Sequence, residues 1–113
     1  MKNLILPLIF ISFFMHCPGQ EQTNYKTVIS KLTSFYNAAQ YDSIWQLCSS
    51  QMQSALPLEK TREFFGQMKN EYGQIEHNTY YRTEGTMVIY SSKFEKSAFT
   101  IRIALDDVNK IAQ

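Results

Sequence analysis

The sequence predicts an α+β fold: N-terminal helices packed on a curved antiparallel sheet, with the last strand truncated. Two observations carry this. Apolar residues recur at spacings of three and four from Tyr25 to Ala39, and again over shorter stretches up to Met68. After Gly73 the period changes to two, and β-branched and aromatic residues take over. Helical and strand segments that keep to separate stretches of chain favour helices on one face of a sheet.

The helical elements follow from local signals. Tyr25, Val28, Ile29, Leu32, Phe35, Tyr36 and Ala39 form one stripe, with Thr23 or Asn24 as its expected N-cap. Asp42 is the expected cap of a shorter helix carrying Ile44, Trp45, Leu47 and Cys48. Ser49 and Ser50 interrupt that helix and cap another turn, Gln51 to Leu56. Pro57 suits the first turn of a further helix, where its missing N–H is not needed. Leu58, Phe64, Phe65 and Met68 supply that helix's apolar face, and Gly73 ends it with a left-handed residue.

The strand region divides at its turns. Ile75, His77, Thr79, Tyr81 and Thr83 are expected on one face, alternating with Glu76, Asn78, Tyr80, Arg82 and Glu84. Glu84-Gly85 is a turn signal, and Thr86 to Phe94 reads as a second strand. In the third, Phe99, Ile101, Ile103 and Leu105 share a face opposite Ala98, Thr100, Arg102 and Ala104. A polar turn over Asp106–Lys110 leads to Ile111-Ala112-Gln113, the stub of a fourth strand. A stub would leave a sheet edge able to pair with a second copy or a partner protein.

Residues 1–19 read as a secretory signal peptide. Lys2 precedes an apolar run from Leu4 to Met15, and Cys17-Pro18-Gly19 places small residues around a cleavage site. The run is shorter than the roughly 20 residues of a membrane-spanning helix. Residues 20–113 then form a single domain, secreted or periplasmic, with no transmembrane segment after cleavage. Acylation of Cys17 as a lipoprotein is the alternative fate of that end. Cys48 is otherwise the lone cysteine, so no intramolecular disulfide is expected and the core must hold the domain. The formal net charge of +1 without a basic stripe argues against nucleic acid as a partner.

Four stretches together carry a family resemblance. They are Phe35-Tyr36-Asn37-Ala38-Ala39-Gln40-Tyr41-Asp42, Ala55-Leu56-Pro57-Leu58-Glu59-Lys60-Thr61, Phe94-Glu95-Lys96 and Leu105-Asp106-Asp107-Val108-Asn109-Lys110-Ile111. With them the chain resembles a small bacterial domain of unknown function found N-terminal to secreted serine hydrolases. That domain is similar to the cystatin-like, nuclear-transport-factor-2-like superfamily. The resemblance implies a cone: a long helix and shorter ones packed into a curved sheet around a pocket. Two departures stand out. Family members continue through a complete last strand, and no hydrolase domain follows here, so the chain reads as a free-standing version or a truncated hydrolase precursor.

Catalytic signals are weak. No serine has a lysine three positions on, and Gly-x-Ser-x-Gly is absent. His77 is the one candidate general base. Its neighbour Glu76 points to the opposite face of a regular strand. Cys48 would need His77 as its base to act as a nucleophile. Asp106-Asp107-x-Asn109 lacks the glycine and spacing of a calcium loop, and no cluster has zinc-ligand spacing. No metal or cofactor is expected, and no residue is assigned a catalytic role. The aromatic content of 14% is accounted for first by core packing, and the sharper reading is a cone pocket with aromatic walls that holds an apolar ligand or peptide. Its candidate ligand-binding residues are Tyr36, Trp45, Phe65 and Tyr81. The expected function is a non-catalytic interaction or accessory domain. Binding of a small apolar ligand or peptide in the cone is the alternative, and a pocket enzyme using His77 is a third.

Overall fold

The computed structural model describes residues 20–113. The expected signal peptide and Cys17 lie outside the described residues. Among the described residues four helices come first: α1 (Thr23–Asn37), α2 (Tyr41–Gln46), α3 (Ser50–Ala55) and α4 (Leu58–Tyr72). Three strands follow: β1 (Ile75–Glu84), β2 (Met87–Phe94) and β3 (Ala98–Ala104), forming an antiparallel sheet in the order β1-β2-β3. This is the α+β arrangement the periodicity predicts. No described helix is long and apolar enough to cross a membrane.

The α1 stripe buries Tyr25, Val28, Ile29 and Tyr36. Tyr25 acts as a pin. Its hydroxyl donates to the Thr86 carbonyl (2.7 Å) and accepts from the Leu105 amide (3.1 Å), so one side chain joins α1 to the β1–β2 turn and the end of β3. Three boundary expectations are corrected. Helix α1 already includes Thr23 and Asn24, and its N-cap is Gln22 with no side-chain bond. Asp42 lies inside the first turn of α2 rather than capping it, because its carboxylate is taken by Arg62 of α4 at 2.8 Å through both oxygens. Helix α2 stops at Gln46, so Cys48 leaves the helix and bridges to Ile111.

Other signals hold. Ser49 caps α3 by accepting from the Met52 amide (3.2 Å). Gly73 follows α4 with φ +83, and a β-carbon there would sit 2.9 Å from that of Glu95. Ala39 adopts φ +58 after α1, with the Gln40 amide reaching the Phe35 carbonyl (2.8 Å), a helix-ending loop that usually carries glycine. The stub after β3 begins an antiparallel ladder. The Asp106 carboxylate accepts from the Val108 and Lys110 amides, and the Ala112 amide donates to Ala104. Ile111 is held on its other side by Leu47 and Ser49 (both 2.8 Å).

Strand β1 departs from strict alternation. Its pairing with β2 shifts between Ile75 and His77 and again between Tyr80 and Arg82, so Glu76 and Tyr81 are extra residues. Each bulge flips the face. Ile75, Asn78, Tyr80 and Thr83 are the more buried residues, whereas His77, Thr79 and Tyr81 are exposed. The polar result is ordered: Ser92 donates to Asn78 (2.6 Å), and Asn78 donates to Thr33 of α1 (2.8 Å). Ser92 is fully buried, and this chain of bonds crosses the layer between helix and sheet.

Candidate functional site

The core has two parts. One gathers Tyr25, Val28, Ile29, Val88, Tyr90, Ile103 and Ile111 beneath α1. The other gathers Tyr36, Ile44, Ile75 and Phe94, with Phe35, Tyr41, Phe65, Met68 and Tyr72 packed around them. The second part is not closed over. Helix α4 buries only Thr61 fully, and Phe64 on it is 51% exposed. Between α4 and β3 lies a trough of about 400 Å³, walled by Leu32, Tyr36, Phe64, Phe65, Met68, Ile75, Phe94, Phe99 and Ile101, with Thr100 and Arg102 of the β3 edge at its border. That volume lies within the usual range of ligand pockets. A smaller hollow of about 120 Å³ shares Leu32, Phe65 and Ile101 and runs on toward Met52, Ile103 and Ile111.

The trough walls are set edge to face. Tyr36 meets Phe65 (6.2 Å between centroids) and Phe94 (5.8 Å), and Tyr72 meets Phe99 (4.7 Å). Such pairs hold their rings in place beyond what burial alone contributes. Tyr36 is further fixed by donating its hydroxyl to the Gly73 carbonyl (2.8 Å). Burial, with Tyr41 and Glu95 nearby, pushes its phenol up to about 12. Tyr36 therefore stays neutral and acts as wall and pin.

Of the four candidate ligand-binding residues, Tyr36 and Phe65 come together in this trough. Trp45 stands apart: its indole N–H donates to the Leu56 carbonyl (3.1 Å), tying α2 to the end of α3. Tyr81 is the extra residue of the second bulge, 63% exposed, with Arg82 over its ring at 5.1 Å. It borders a different hollow on the outer face of the sheet. Phe99, Met68 and Ile75 are trough residues that were not singled out. Phe99 was legible as an alternating apolar residue of the third strand whose outward neighbours are small.

His77 lies exposed on β1, and no hydrogen bond among the described residues involves its side chain. Cys48 is half-buried, donating weakly to the Ile44 carbonyl (3.6 Å), and burial pushes its thiol up against the pull of Lys110. A protonated thiol is a poor nucleophile. Among the described residues no group of His, Cys, Asp and Glu could hold a metal ion.

The free edge of β3 completes the site. Ala104 bonds outward to the stub, so backbone alternation turns the N–H and C=O groups of Arg102, Thr100 and Ala98 to the same unpaired side. The pairing of β3 with β2 runs from Met87–Ala104 to Lys93–Ala98 without a shift, so this edge carries no bulge. What the arrangement offers is an aromatic trough whose rim carries backbone N–H and C=O groups that no described residue pairs. No curated protein and no solved structure matches the chain. The family described as "Protein of unknown function (DUF3887)" matches residues 21–113, and the chain belongs to it.

Proposed function

We infer that this is a non-catalytic docking domain, secreted or periplasmic, that receives an extended protein segment along β3. The trough opening onto an unpaired, unbulged strand edge carries this reading. Backbone groups at an edge supply affinity to an added strand, and pockets for alternate side chains supply selectivity. The exposed His77, whose side chain makes no hydrogen bond among the described residues, and the raised Cys48 thiol support a role without chemistry. The leader-like residues 1–19 support export. We read the fold as a cystatin-like cone, and the resemblance to domains that precede secreted hydrolases supports an accessory role.

The test is Thr100→Pro. Proline removes one outward N–H while leaving the β2–β3 ladder intact, and edge strands tolerate it. A labelled nine-residue peptide alternating leucine and threonine is the probe, read by fluorescence anisotropy, with molar mass measured by light scattering. Binding to the wild type, or a dimer, should be lost in Thr100→Pro with the far-ultraviolet circular dichroism unchanged. Unchanged binding and mass would overturn the edge reading. The trough's volume and aromatic walls favour a second reading, a small apolar ligand. Its signature is an apolar dye bound equally by wild type and Thr100→Pro but lost in Phe65→Ala.

A further inference from the structure

The outer face of the sheet specifies what the docked segment carries. On β3, Phe99, Ile101 and Ile103 point toward the helices, and Ala98, Thr100 and Arg102 point away from them. A strand laid beside β3 must divide its side chains in the same way, one set over the trough and one over the outer face. The outer face near this edge has a definite character. Arg82, Ile89 and Arg102 form one row across the three strands, and Ser91 and Thr100 lie opposite each other in the next. These residues and Tyr81 surround a hollow of about 370 Å³.

The charges there are unequal. Arg82 is engaged, pairing with Glu84 on its own strand and lying over Tyr81. Arg102 is exposed, and no carboxylate among the described residues pairs with it. It is the one charged residue of β3, beside the unpaired edge. The next strand would set a side chain about 5 Å from it, the distance of a cross-strand pair. A like charge there is destabilising and an opposite charge favourable. The direction is indicated as well. The chain's own Ala112 already pairs antiparallel with Ala104 on this edge.

We propose that the partner is an antiparallel segment alternating apolar and acidic residues. Its apolar side chains enter the trough beside Phe99 and Ile101, and an acidic side chain pairs with Arg102 on the outer face. This rests on the docking reading above and adds the chemistry of the partner. A second copy of this chain fits less well, because β3 has no acidic residue to place beside Arg102.

The test compares three labelled nine-residue peptides, alternating leucine with glutamate, threonine or lysine, by anisotropy at low salt. The glutamate peptide should bind tightest. The margin over the threonine peptide should be roughly fivefold, as an exposed charge pair supplies, and it should shrink in molar salt. Arg102→Glu is an exposed change at the strand edge, where Arg102 borders both the outer hollow and the trough, and it should reverse the order in favour of the lysine peptide. Equal binding of all three would overturn the acidic preference while leaving the docking reading in place. Binding of none of them by a protein that is monomeric in light scattering would remove the docking reading itself. Inorganic phosphate bound by the wild type and lost in Arg102→Glu, with the peptides indistinguishable, would assign the hollow to a free anion and overturn the proposal.

Discussion

The two outer strands of the sheet are built to opposite rules. Strand β1 carries two bulges, and its exposed residues include Glu76, His77, Arg82 and Glu84. Glu76 is also bonded by Lys93 at 3.3 Å. Strand β3 has no shift against β2 and exposes alanine, threonine and a single arginine beyond its inner face. Bulges and charges are the devices by which sheets keep foreign strands away. One edge has both, and the other has a single arginine and no bulge. The same division continues into the helices: α1 closes over one part of the core, and α4 stands off from the other. The lesson is that openness here is confined to one side.

The sharpest way to break this contrast is at the end of β3 that lies under α1. Ile103 is 3% exposed and belongs to the closed part of the core. Ile103→Ala should destabilise the domain by about 2–5 kcal/mol, through lost transfer energy and a residual cavity. Chemical denaturation measures it. A loss near that of an exposed site would mean that α1 does not seal this end.

A smaller effect is expected where β1 begins. Gly73 has φ +83 and no room for a β-carbon beside Glu95, whose carboxylate accepts from the Gln74 amide (2.8 Å). Gly73→Ala forces either a strained backbone or a displaced Glu95, for a cost of about 1–3 kcal/mol. Gly85 also has a positive φ, but nothing crowds it. Gly85→Ala carries the backbone strain without the collision and should cost less. If the two substitutions are equally harmful in melting experiments, the crowding by Glu95 is not what matters.

Much of this organisation was legible in the sequence, and the exceptions have physical causes. The α1 stripe and the alternation of β3 appear because each has one buried face, and a buried face imposes its period on the residues. Bulges in β1 have no such signature. An extra residue changes only how the strand meets its partner, so strict alternation grouped His77 and Tyr81 with Ile75, and the structure turns Asn78 and Tyr80 inward instead. The site was half legible for a related reason. Tyr36 and Phe65 were found by aromatic type, and they sit on stripes that converge. Trp45 has the same type but a different neighbour, the Leu56 carbonyl that takes its N–H. Residue type identifies wall material, and only the meeting of α4 with β3 decides where the wall stands.

On the open side, truncation should have less effect on stability. Phe99 is 37% exposed and touches Phe94 and Tyr72 at the trough wall. Fully buried phenylalanines cost several kcal/mol on truncation, but a side chain already wet on one side forfeits much less. Phe99→Ala should cost about 1–2 kcal/mol, less than Ile103→Ala, while weakening capture of the leucine–threonine peptide. Ile103→Ala and Phe99→Ala sit on the same face of the same strand, so their difference reads the boundary between closed and open core directly. Equal destabilisation would place that boundary elsewhere.

The smallest expected effect concerns the fastening of α4 itself. Arg62 grips Asp42 of α2 through two bonds of 2.8 Å, and both side chains are exposed. The hydrogen bonds from Arg62 hold the Asp42 carboxyl below its ordinary value of 3.8. A carboxyl lowered in the folded state lends stability that is fully present above its unfolded value. That stability is lost as the pH falls through the folded one. The clasp should therefore hold from neutrality down to about pH 4 and fail only in stronger acid. Because it joins helix to helix and touches no strand, its failure should loosen α4 slightly, leaving the packing of Phe65 and Met68 in place, without loosening β1 from β2. Hydrogen exchange followed from pH 5 to pH 2.5, corrected for intrinsic rates, should show protection falling first in Leu58–Tyr72. Asp42→Asn should remove that pH dependence. Loss of protection in β1 and β2 at the same pH would show that the trough wall and the sheet open as one unit, and that the openness assigned to one side belongs to the whole domain.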